Sequence, residues 1–128
     1  LILTHAQYPM HIMGADLFQK GKQHYLVVVD RYSGYPFIKL LGSLKTSAIV
    51  NTMTSWFREF GFPTTIRSDG GPQFRTEFTN FCNENGIKHE TSSPYNSQSN
   101  GLAEAAVKNM KYLLLKHKPN RMFSDLKL

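Results

Sequence analysis

The run Tyr25-Leu26-Val27-Val28-Val29-Asp30 lies between two turn signals, Gly21-Lys22 and Ser33-Gly34, and this placement restricts the fold more than any other stretch. An unbroken apolar run rich in β-branched residues favours a buried strand. The second turn leads directly into Tyr35-Pro36-Phe37-Ile38-Lys39-Leu40-Leu41, and so short a connection implies an antiparallel hairpin. Tyr8 to Phe18, upstream of the first turn, reads as a further strand.

From Thr46 to Phe60 the period changes. Ile49, Val50, Met53, Trp56, Phe57 and Phe60 recur at helical spacing, with Thr46 or Ser47 as N-cap, Gly61 as stop and Trp56 as a core anchor. Pro63 bars continuation of that helix, so Thr64 to Ser68 is expected as a short strand. Gln73 to Asn85 fits a second helix with Phe74, Phe78, Phe81 and Cys82 inward, closed by Gly86, and Ile87 to Thr91 a fifth strand. Ser92 to Asn100 is polar, broken by Pro94 and reads as a loop. A long helix follows from Ser99 or Gly101 to Lys118, where Pro119 ends it. Val107, Met110, Leu113 and Leu114 give that helix an apolar face for the sheet or another subunit. The element order predicts an α/β fold, a five-stranded mixed sheet flanked by helices.

A chain of 128 residues, 41% of them apolar, can bury one core and is too short for two. Residues 8–118 are expected to form that domain and 119–128 a linker-like tail. The opening Leu reads as the start of a piece of a longer chain. No stretch of about 18 apolar residues could span a membrane, and the N-terminus lacks the order of a signal peptide. Cys82 is the only cysteine, so an internal disulfide and a Cys-x-x-Cys zinc pair are both excluded, and a buried packing thiol is expected. The net charge of +6 favours an anionic partner, and Lys108, Lys111, Lys116, Lys118 and Arg121 concentrate it toward the C-terminus.

Three acids occupy unlike settings. Asp16 lies inside the apolar run Ile12-Met13-Gly14-Ala15-Asp16-Leu17-Phe18, Asp69 closes Thr65-Ile66-Arg67-Ser68-Asp69 just before Gly70-Gly71-Pro72, and Glu104 opens Glu104-Ala105-Ala106-Val107-Lys108. A carboxylate in or at the end of an apolar strand loses hydration unless it meets a cation. Together the three point to a two-metal phosphoryl-transfer site, where hard divalent ions on carboxylate oxygens neutralise the attacking and leaving oxygens of an in-line displacement. Asp30 is the rival acid, better suited to a salt bridge with Arg31 or a turn cap. His11 and His89 read as structural imidazoles.

Ile66-Arg67-Ser68-Asp69-Gly70-Gly71-Pro72-Gln73-Phe74, then Gly86-Ile87-Lys88-His89, then Ser93-Pro94-Tyr95-Asn96-Ser97-Gln98-Ser99-Asn100-Gly101-Leu102-Ala103-Glu104 resemble the catalytic core of retroviral integrases. Within that group the chain is most similar to integrases of Ty3/gypsy-type long-terminal-repeat retrotransposons. The resemblance runs from about Tyr8 to Lys118 and implies a ribonuclease-H-like fold. It further implies that Asp16, Asp69 and Glu104 are the acidic triad holding two Mg²⁺ or Mn²⁺ ions. Tyr95, Asn96, Gln98 and Asn100 would line a loop beside DNA ends, and Lys108 and Lys111, on one helical face with Glu104, would contact DNA phosphates. The implied activity is 3′-end processing and strand transfer on double-stranded DNA by a homo-oligomer, in the nucleus, with no membrane partner.

Some positions depart from the family pattern. Asp69 and Glu104 are separated by 34 residues, one fewer than the spacing that names the retroviral group. Gly70 stands where many relatives have Asn, Ser97 replaces a common Pro, and Ala105 an Arg that often follows the glutamate. These changes touch loop rigidity and a phosphate contact, and they leave the acids intact. Two other readings fit the same fold: a domesticated core that binds DNA or multimerises without catalysis, and a ribonuclease H or related nuclease. The Tyr95 to Glu104 motif disfavours the nuclease.

Overall fold

The N-terminal half forms the expected meander. In the computed structural model, which describes residues 5–91, β1 (Ile12–Lys20) pairs antiparallel with β2 (Gln23–Asp30), and β2 pairs antiparallel with β3 (Pro36–Leu41). The first hairpin closes between Lys20 and Gln23. Gly21 takes φ 61° there, a conformation that L side chains adopt poorly. Helix α1 (Thr46–Phe60) crosses to β4 (Thr65–Ser68), and a 3₁₀ turn (Pro72–Phe74) and α2 (Thr76–Glu84) lead to β5 (Lys88–Thr91). The sheet order is β3-β2-β1-β4-β5, with β4 parallel to both β1 and β5.

Four expectations need correction at their edges. The first strand begins at Ile12 instead of Tyr8 and extends to Lys20. The His11 N–H donates to the Tyr8 carbonyl at 3.1 Å and Met10 has φ 64°, so Tyr8 to His11 is a turn. Neither Thr46 nor Ser47 caps α1. Lys45 holds the cap position without a side-chain bond, and the Thr46 hydroxyl donates to the Gln73 carbonyl at 3.1 Å, tying α1 to the 3₁₀ turn. The expected Gln73–Asn85 helix divides at Arg75, whose φ −98° and ψ −139° interrupt it. β4 and β5 each begin one residue later than read, at Thr65 and Lys88. The loop at 92–100 and the helix at 101–118 lie outside the described residues.

Strand alternation sorts the side chains into two faces. Met13 and Ala15 of β1, Leu26 and Val28 of β2, Phe37 of β3 and Ile66 of β4 turn to one face, where Ile49, Met53, Trp56 and Phe57 of α1 and Phe78, Phe81 and Cys82 of α2 cover them. Trp56 is the anchor expected of it, 2% exposed and 5.3 Å from the Phe37 ring. Cys82 is fully buried among these residues, and burial pushes its thiol up to about 12, as befits a packing group. Tyr25, Val27, Val29 and Ile38 alternate with this set and are buried on the other face. Burial on both faces explains why the Tyr25–Val29 run is continuously apolar.

Candidate active site

The β1–β4 pairing sets the frame in which two of the acids lie. Gly14 is in register with Arg67, the last pair of the ladder; Asp16 lies two residues further along β1, and Asp69 two residues beyond Arg67, just past the end of β4. Strand alternation gives Asp16 the parity of Gly14 and Asp69 that of Arg67, and neighbouring strands are about 5 Å apart. Asp16 is half-buried in the middle of β1, while Asp69, just past the end of β4, is exposed. Asp16 Oδ1 accepts the Leu17 N–H at 2.9 Å, and Asp69 Oδ1 accepts the Gly71 N–H at 2.9 Å. A carboxylate has about four acceptor positions, so a single amide leaves Asp69 with capacity for a metal ion.

The segment after Asp69 is fixed on several sides. The Arg75 Nε donates to the Gly70 carbonyl at 3.2 Å, the Phe74 N–H donates to the Gly71 carbonyl at 2.9 Å, and the Phe74 ring is buried edge-on to Phe78. Gly71 packs directly under the acid, and a Cβ on it would lie 3.0 Å from Asp69 Oδ1. Before Asp69, the Ser68 hydroxyl lies 2.9 Å from the Asp69 carbonyl and 2.8 Å from His89 Nε2, and Thr79 Oγ1 lies 2.8 Å from His89 Nδ1. Burial lowers the His89 pKa, so the ring is held neutral.

A charged cluster lies one pleat below the acids. Arg67, 8% exposed, donates through Nε to Glu90 Oε1 at 2.7 Å, and Lys88 Nζ lies 3.2 Å from Glu90 Oε2. Burial and the charge of Arg67 lower the Arg31 pKa, and Glu90 opposes them. For Glu90 burial acts upward, yet hydrogen bonds from Arg67 and Lys88 and their charges outweigh it and hold the carboxyl below its ordinary value. A depressed carboxylate stabilises the fold above its unfolded pKa, and the contribution is lost as pH falls through the folded value. Glu90→Gln is therefore expected to lower the melting temperature at pH 7 by roughly 4 °C, corresponding to about 1 kcal/mol. Thermal scans of the two proteins should begin to approach each other near the ordinary glutamate range and converge only below it, once the pH has fallen through the depressed folded value.

Asp30 is the turn cap that its sequence setting allowed. It is 4% exposed and accepts the Tyr32 N–H at 2.9 Å, the Ser33 hydroxyl at 3.1 Å and the Met10 N–H at 3.3 Å. It pairs with Met13, a residue of the helix-covered face, and so points away from Asp16. Asp30→Ala should destabilise the chain by about 1 to 3 kcal/mol through stranded amides. Denaturant melts read that loss, while metal affinity should stay within twofold of the parent.

Glu104, Tyr95, Asn96, Gln98, Asn100, Lys108 and Lys111 lie outside the described residues. Among the described residues no three His, Cys, Asp or Glu side chains group as a metal site. The donor chemistry of Asp16 and Asp69 nonetheless fits Mg²⁺ or Mn²⁺, since both supply hard carboxylate oxygens. Arg67 and the Ser68–His89–Thr79 chain were not singled out from sequence. Gly71 had a legible signal, because Asp favours bonding the amide two residues on. The others meet across the sheet, where no local pattern announces them. No described helix is long and apolar enough to cross a membrane.

The fold agrees with those of known proteins. The integrase core domain profile matches residues 9–97. The chain is 38% identical over 87 residues to an uncharacterised protein of Caenorhabditis elegans, covering 67% of this chain and 7% of that protein. It is 33% identical over 100 residues to the Pol-related polyprotein of mouse intracisternal A-particle MIA14, covering 77% of this chain and 12% of the relative. With the Gag-Pro-Pol polyprotein of sheep pulmonary adenomatosis virus it shares 31% identity over 122 residues, 91% of this chain and 7% of the relative. The chain thus spans a small part of these relatives. Among solved structures, the catalytic core domain of BIV integrase matches with TM-score 0.76 and 22% identity over 92% of this chain and 78% of that one. A chain of a simian T-cell lymphotropic virus intasome, in complex with PP2A regulatory subunit B56 gamma, matches with TM-score 0.80 and 27% identity over 98% and 48%. The five-stranded mixed sheet is the ribonuclease-H-like fold of integrase catalytic cores. With the profile covering most of the chain, this protein belongs to the integrase core domain family.

Proposed function

We propose that this chain is the catalytic core of an integrase from a retrovirus-like or retrotransposon polyprotein, carrying out 3′-end processing of element DNA and strand transfer into target DNA. The observation that carries the reading is the parallel register of β1 with β4, Gly14 opposite Arg67, which supports bringing Asp16 and Asp69, two residues further along each segment, to neighbouring positions. The polyprotein relatives support the origin, and the resemblance carried by the motifs from Ile66 to Phe74 and from Ser93 to Glu104 favours the Ty3/gypsy type.

Asp16, Asp69 and Glu104 would hold the ions. Two bound divalent cations supply Lewis acidity to the attacking and leaving oxygens of the phosphodiester. The chain's own residues do the rest. Gly71 keeps bulk away from the Asp69 carboxylate, and Lys108 and Lys111, with Tyr95, Asn96, Gln98 and Asn100, bind DNA. The net charge of +6 offsets the repulsion between phosphates and carboxylates. The likeness to an intasome chain supports assembly of several copies on DNA. A nuclear place of action follows only from the family resemblance.

The test is a disintegration assay on branched DNA with Mg²⁺, Mn²⁺ or EDTA, beside an RNA·DNA hybrid of the same sequence. Metal-dependent cleavage and joining confined to branched DNA is the expected result. Hydrolysis of the hybrid RNA would favour a ribonuclease H, and DNA binding without metal-dependent turnover would sink the catalytic reading.

A further inference from the structure

We infer that His89 is a positioning residue for Asp69, acting through Ser68 to fix the end of β4 from which the carboxylate projects. The direction of its hydrogen bonds follows from donor counting. The Asp69 carbonyl, 2.9 Å from Ser68 Oγ, can only accept, so the single serine proton is committed there. Ser68 Oγ must then accept at its 2.8 Å contact with His89 Nε2, which makes Nε2 the protonated ring nitrogen. In a neutral ring Nδ1 is left as acceptor, and Thr79 Oγ1 donates to it at 2.8 Å. A directed chain results, from Thr79 of α2 through His89 of β5 and Ser68 of β4 to the backbone of Asp69. The ring is held edge-on against Phe78 at 4.9 Å and cannot turn without losing both bonds.

This chain lies where the sheet needs it. Ser68 is the last residue of β4 and Asp69 is exposed just beyond it. Strand ends fray readily. The Thr79–His89–Ser68 chain approaches from the helix-covered face, opposite to the carboxylates, so it adds constraint without occupying the side that DNA must reach. The consequence for metal binding rests on the function proposed above, whereas the positioning itself does not.

The test uses His89→Gln, whose amide nitrogen can reach the Nε2 position, against His89→Asn, which reaches only Nδ1, and His89→Ala, all in the 128-residue chain. Ring ¹⁵N spectra of the parent should show protonated Nε2 and bare Nδ1. Without metal, the amide resonances of Asp69 to Gly71 should stay near parental in the Gln variant and shift in the Asn and Ala variants. Mn²⁺ affinity should fall about tenfold in the latter two and recover in Gln, the size typical of groups that orient a ligand. A protonated Nδ1, or equal behaviour of Gln and Asn, overturns the inference, and the Gln and Asn pair decides the matter even if Ala fails to fold. Parental Mn²⁺ affinity in Asp69→Asn would refute the metal site instead, leaving the amide shifts to judge the positioning.

Discussion

Asp69→Asn is expected to fold as the parent does and to lose metal-dependent cleavage and joining by about 10³-fold or more. A metal clamp is worth several kcal/mol in the transition state, and each 1.36 kcal/mol is tenfold in rate. The substitution is mild structurally because Asp69 is exposed and the amide oxygen of Asn can still accept the Gly71 N–H. What disappears is the negative charge and one hard oxygen ligand. Asp16→Asn should cost a similar factor. The double variant should be little worse than either single one, since ligands of one centre act as a unit. Single-turnover rates on branched DNA, paired with thermal melts, measure both halves of the expectation. Parental rates in Asp69→Asn would remove the acid from the mechanism.

Gly71→Ala is expected to lower Mn²⁺ affinity and turnover by about 10- to 100-fold, the loss seen when the support of a metal ligand is disturbed. Backbone conformation gives no reason for such a loss, because Gly71 has φ −64° and ψ 166°, which alanine adopts freely. The cause is steric. The new methyl would stand 3.0 Å from Asp69 Oδ1, tighter than ordinary contact, and the carboxylate must give way. Gly70→Ala is the internal control, since a Cβ there meets nothing within 4 Å. Metal titration and rates should separate the two glycines although both flank the same acid, and melting temperatures should hardly move. Equal loss at Gly70 would point to loop stiffness in place of contact.

The architecture was readable because strand and helix periods were clean. The Tyr25–Val29 run declared a strand buried on both faces, and Ile49, Met53, Trp56 and Phe57 marked the inner side of α1, whereas Val50 and Phe60 of the same helical set are half-buried and exposed. Boundaries were missed where side chains chose unexpected partners. Thr46 bonds Gln73 across the fold instead of capping its own helix, and Arg75 reaches back to Gly70 where a helix was expected to continue. For the site, Asp16 was legible as a carboxylate in an apolar strand and Asp69 as one at a strand end before glycines. Their juxtaposition depends on pairing between distant segments, which periodicity does not encode. The same holds for His89, whose partners Ser68 and Thr79 belong to two other elements.

The parallel β1–β4 ladder also governs when during synthesis the two acids proposed to hold metal can come together. A growing chain that has made only the β1–β2–β3 meander carries Asp16 with no second acid beside it. Asp69 arrives after α1 has crossed over and β4 has added to the free edge of β1, a long-range closure slower than forming hairpins. Until then the nascent chain lacks the acid pair that the proposed chemistry needs. Under the proposed function, cations that bind the pair once the strands meet would stabilise the folded form by mass action. On that reading the ladder makes completion of the fold a precondition of the chemistry.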